Sequence, residues 1–149
     1  MRLLPAWLRV GGIYALLGVA SCADAVQGTA PAAEERFARE YFKTLADSGV
    51  EAIAPRTLGG LGSKVSFREN MEVLRGVLRR VPPDSLLLER WKVEVSPGKP
   101  RATKIVYAVH GLDGPFLVGL WIEPDGKHLG ANTVFFGSPP AKGRLPGDS

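Results

Sequence analysis

Thiol and imidazole groups are few in this chain of 149: one cysteine, Cys22, and two histidines, His110 and His128. A zinc site wants three or four protein ligands, mostly nitrogen or sulfur. A lone thiol offers neither a CxxC pair nor an internal disulfide, so no metal and no cofactor is expected. Serine-based acyl transfer on a hydrolase sheet carries a GxSxG elbow, which this sequence lacks. What remains is His110 with Asp113, at a strand end and its adjoining turn, where a carboxylate-oriented imidazole could act as a general base. Asp113 also precedes Gly114, the pairing that a tight hairpin turn uses, and that accounts for it without chemistry. Trp91, Tyr107 and Trp121 are the aromatic residues that, with His110 and Asp113, could line an apolar pocket. Packing of helices onto a sheet accounts for the same aromatics, and no residue is assigned a catalytic role.

Cys22 has a more specific setting. Arg2 and Arg9 give a positive start, Val10–Ala20 is an uninterrupted run without charge, and Val19, Ala20 and Ser21 lead into the cysteine. An 11-residue run is too short for a spanning helix, which needs roughly 20 apolar residues, and it has the form of an export signal. Val19-Ala20-Ser21-Cys22 resembles the bacterial lipobox. That resemblance implies signal-peptidase recognition of Val19, Ala20 and Ser21, and diacylglycerol on Cys22 with palmitate or a similar acyl chain on the new amino terminus. Ala23 in the next position implies the outer membrane, facing the periplasm. Removal of residues 1–21 would leave 128 residues with a net charge of about +2 in place of +4. That balance does not suit a nucleic-acid binder, which concentrates positive charge on one face. The alternative is a secreted, non-lipidated domain cut after Ala25.

Composition is that of an ordinary globular domain, 45% hydrophobic and 23% charged. Residues 22–33 read as the lipidated cysteine and a tether, 34–137 as one domain, and 138–149 as a disordered tail. Phe37, Tyr41 and Leu45, with Ala38 and Phe42 beside them, predict an amphipathic helix over 34–48 ending at Gly49. A short turn over 50–54 stops at Pro55, and Leu58–Gly62 reads as a flexible turn between helices. Ser66 and Glu69 match a capping box opening a helix with Phe67, Met71, Leu74 and Leu78 on one stripe. Gly76 inside it suggests a close backbone approach, Arg75, Arg79 and Arg80 a solvated flank, and Pro82-Pro83 the end. Beyond Pro83 the period becomes 2. Leu87, Trp91, Val93 and Val95 share one face of a strand over 85–95. Strands over 101–110, 116–123 and 128–136 follow, joined by turns rich in Gly and Pro, which makes an antiparallel meander. Gly119 and Gly130 suit a bulge or strong curvature.

Helices followed by a meander is an α+β order, with N-terminal helices packed on a curved antiparallel sheet of about four strands. With Tyr41–Gly49 in the first helix and Glu123–Gly130 in the last hairpin, the chain resembles the nuclear-transport-factor-two-like or cystatin-like cone domains of small lipoproteins. That superfamily holds isomerases, dehydratases and cyclases beside non-catalytic binding domains, so the fold alone does not select an activity. The expectation is a lipid-anchored envelope lipoprotein with a non-catalytic binding domain, taking an envelope protein partner or an apolar ligand on its concave sheet. The alternative is a pocket enzyme of the isomerase or cyclase type using His110 or Asp113.

Overall fold

A computed structural model describes residues 30–139 of the protein. Helix α1 (Ala32–Ser48) comes first, then the four-residue α2 (Val50–Ile53) and α3 (Val65–Leu78). Strands β1 (Leu86–Glu94), β2 (Ala102–Val109), β3 (Leu117–Asp125) and β4 (His128–Gly137) complete the chain. They form one antiparallel sheet in the order β1-β2-β3-β4. The architecture is α+β, as the change of period predicts.

Helix α1 starts two residues ahead of Glu34. Pro31 at the boundary has φ −54°, preset for a first turn, and its carbonyl accepts from the Glu35 amide at 2.9 Å. The buried side chains of α1 are Ala38, Tyr41, Phe42 and Leu45, and those of α3 are Phe67, Met71, Leu74 and Leu78. They meet Ile105, Tyr107, Val118, Leu120 and Ile122 from one face of the sheet in a single core.

Four local expectations need correction. Helix α3 begins at Val65 with Lys64 at the cap and no side-chain capping bond, so Ser66 lies inside the first turn and the capping box does not form. Leu87 and Val95 are 50% and 70% exposed. Glu89 is an extra residue between two registers of β1 against β2; such a bulge reverses which side chains face inward. Leu86 and Leu88 thus face the core before it, and Trp91 and Val93 after it. Arg75 is not simply solvated: its guanidinium abuts the space a Cβ would take at Gly49, at 3.4 Å, and its Nε is buried without a hydrogen-bond partner. Gly76 has no atom within 4 Å of a notional Cβ, so no close approach explains it.

The Gly-rich turn after α2 is pinned at its start. Thr57 bridges Ala131 in parallel, and the Leu58 amide donates to the Ala131 carbonyl at 2.8 Å. This covers part of the free edge of β4, where exposed backbone groups invite unwanted pairing. The Thr57 hydroxyl donates its one proton to the Ile53 carbonyl at 2.9 Å. The Tyr41 phenol, 2.8 Å away, is therefore the donor of their shared bond.

The sheet face turned away from the core carries its own apolar cluster of Val106, Leu117 and Phe135, with Ala108 and Trp121 beside it. Gly119 stands opposite Phe135 in register, and the Phe135 ring occupies the space of its missing side chain. Lys104, 2% exposed, holds its ammonium 5.6 Å from the Trp121 ring and 5.1 Å from that of Phe135, while Lys92 lies 5.1 Å from Trp121. Both ammonium groups gain from the negative faces of the rings.

Candidate functional site

The five residues proposed to line a pocket are not brought together. Tyr107 and Trp91 lie on the helix-covered face: Tyr107 is fully buried, and Trp91 pairs with Ile105. Trp121 pairs with Lys104 on the opposite face. His110 and Asp113 are both exposed in the loop after β2. The His110 amide donates to the Ser85 carbonyl at 2.9 Å, and the two side chains share no hydrogen bond or ion pair. Asp113 borders a separate shallow hollow with Arg80, Leu112 and Phe116.

The sheet face expected to hold a concave pocket is filled from α1. The Phe42 ring meets Tyr107 edge-on at 6.3 Å and Tyr41 at 5.9 Å. The Arg39 guanidinium lies over the Tyr107 ring at 4.9 Å, and the Tyr107 hydroxyl donates to the Glu35 carbonyl at 3.4 Å. Burial pushes the Tyr41 phenol up to about 12. Burial raises the Tyr107 phenol as well, against the nearby charge of Arg39. Both phenols are structural groups held neutral.

Open space lies instead beside α1. A groove of about 550 Å³ runs between α1, the end of α3 and the start of β1. Phe42, Ala46, Leu78, Val81 and Leu86 supply its apolar surface, and Pro82-Pro83 form one wall. Each part has a local cause. Pro82 and Pro83 lack amide protons, so the helix cannot continue and the chain turns away through a short 3-10 turn, Pro83–Ser85. The Ser85 hydroxyl donates to the Pro82 carbonyl and fixes that turn. Ala46, one turn beyond Phe42 on α1, is too small to fill the gap. Arg39 ties the walls together: Nη1 donates to the Leu86 carbonyl at 3.0 Å, while Nε and Nη2 donate to Glu35 at 3.1 and 3.0 Å.

Charge around the groove sits at its rim and is mostly matched. Lys43 donates to Asp47 at 2.9 Å, which raises the lysine above its ordinary range. Glu40 lies 3.9 Å from Arg56. Arg79 lines the groove and has no acidic partner among the described residues. The arrangement presents apolar surface under a polar rim, which is what a binding groove of ordinary ligand size needs. Among the described residues no cluster of three or more His, Cys, Asp or Glu could hold a metal ion.

Sequence reading missed the groove because its parts carry simpler roles on paper: Pro82-Pro83 as the end of a helix, and Arg79 as part of a solvated flank. The available signal was the small Ala46 four residues after the large Phe42, on the same side of α1. Cys22 and the Val19-Ala20-Ser21 recognition stretch lie outside the described residues. No protein-family model matches the chain, and neither a curated protein nor a solved structure matches it.

Proposed function

We propose that the protein is a lipid-anchored lipoprotein of the bacterial cell envelope. Its domain binds an apolar ligand, or an apolar segment of an envelope partner, without transforming it. The anchor reading rests on Val19-Ala20-Ser21-Cys22 after a short uncharged run. The placement favoured is the outer membrane, facing the periplasm. Nine residues separate Cys22 from α1, a reach of at most about 35 Å, so a lipidated Cys22 keeps the domain close to the bilayer.

The observation that carries the binding reading is the groove itself. Its volume of about 550 Å³ falls within the range of small-molecule sites. Apolar surface left open there has an energetic use, since covering it returns roughly 25 cal/mol per Å². Its ionisable groups stand at the rim, in ion pairs or facing water, in a setting suited to orienting a ligand.

The test is photolabelling of the lipidated protein in nanodiscs with a small neutral alkyl diazirine. Adducts located by peptide mass spectrometry are expected on the segments carrying Phe42–Ala46 and Leu78–Leu86. Ala46→Trp, which fills the groove, should remove those adducts without lowering the melting temperature by more than a few degrees. Adducts scattered over the surface, or unchanged in a folded Ala46→Trp variant, would contradict the reading.

A further inference from the structure

We propose that the preferred occupant of the groove is a long-chain carboxylate, its alkyl chain on the apolar floor and its carboxylate at Arg79. This deepens the binding reading above and rests on it.

Charges across the rim are matched almost completely. Arg39 is committed three times over, to Glu35, to the Leu86 carbonyl and to the Tyr107 ring. Lys43 is paired with Asp47, and Glu40 with Arg56. Every acid on the rim thus has a cation, and every cation but one has an acid. The one left over is Arg79, exposed at the C-terminal end of α3. A guanidinium presents a fork of donors that fits a carboxylate in a bidentate manner. A neutral ligand would leave it unused, and a cationic one would be repelled.

The floor specifies the rest. Phe42, Ala46, Leu78, Val81 and Leu86 offer no side-chain polar atom to a ligand. A chain with polar groups along its length would lose hydrogen bonds to water there and recover none, whereas each buried methylene contributes about 0.8 kcal/mol. An extended peptide carries a donor and an acceptor at every residue, and the Leu86 carbonyl at the groove's edge is already taken by Arg39. An unbranched alkyl chain ending in a carboxylate meets both demands.

The test uses the lipidated protein in nanodiscs of neutral phospholipid, with a diazirine-bearing palmitate and its methyl ester as probes. The acid is expected to label the Leu78–Leu86 segment with an apparent affinity up to about five-fold above the ester, the size of one exposed ion pair. Arg79→Glu should abolish that preference while ester labelling persists, and Arg79→Lys should keep most of it. Equal labelling by acid and ester, or a preference indifferent to Arg79→Glu, overturns the carboxylate proposal and leaves the groove reading standing. Failure of both probes to label the groove overturns both. Preferential labelling by a lysophospholipid analogue over the free acid likewise overturns the proposal.

Discussion

Tyr41 and Tyr107 show how two phenols act as packing residues. Each is fully buried with its hydroxyl kept protonated, Tyr41 donating to Thr57 and Tyr107 to the Glu35 carbonyl. A tyrosine in the unfolded chain ionises near pH 10, and both folded values are higher, that of Tyr41 about 12. The unfolded state therefore binds fewer protons above pH 10, and stability falls as pH rises from there through the folded values. Below pH 10 the two groups contribute no slope. Denaturant titrations at pH 9 and pH 11 are expected to show this loss, and Tyr41→Phe should show a smaller loss over the same interval. Equal losses in the two proteins would contradict the assignment.

Two glycines separate what an element tolerates from what it requires. Gly76 sits in α3, exposed, with nothing near its missing side chain. Gly76→Ala should stabilise the domain by roughly 0.5–1 kcal/mol, the difference in helix propensity, read as a rise in melting temperature. Gly119 sits under the Phe135 ring, and a Cβ there would lie 2.5 Å from the Ile105 carbonyl. Gly119→Ala should destabilise by about 1–3 kcal/mol, as overpacking does. A cost near zero would contradict the close cross-strand fit. Much of this was legible in the chain. Spacings of three and four marked α1 and α3, and the change to period 2 after Pro83 marked the sheet. The bulge at Glu89 was not, because an extra residue leaves alternation intact on each side and only the partner strand shows the shift. Nor was the Thr57–Ala131 bridge, which joins positions 74 residues apart.

At the scale of the whole molecule, the candidate site was the least legible part. Aromatic residues at alternating positions, such as Trp91, Tyr107 and Trp121, look alike whichever side of the sheet they occupy, and pairing puts Trp121 on the far side. The groove arises where three elements end or pass, and no single stretch encodes it. Its walls belong to Arg39–Asp47 on one side and Leu78–Leu86 on the other, joined by the reach of Arg39. The proposed anchor would hold this groove within about 35 Å of a bilayer, and everything about that address rests on Cys22. Mass spectrometry of the amino terminus, on protein recovered from bacterial envelopes, tests it directly. A mature chain beginning at Cys22 and carrying diacylglycerol, with an acylated amino group, is the predicted result. An unmodified terminus at Val26, or at any other residue past Cys22, would contradict it.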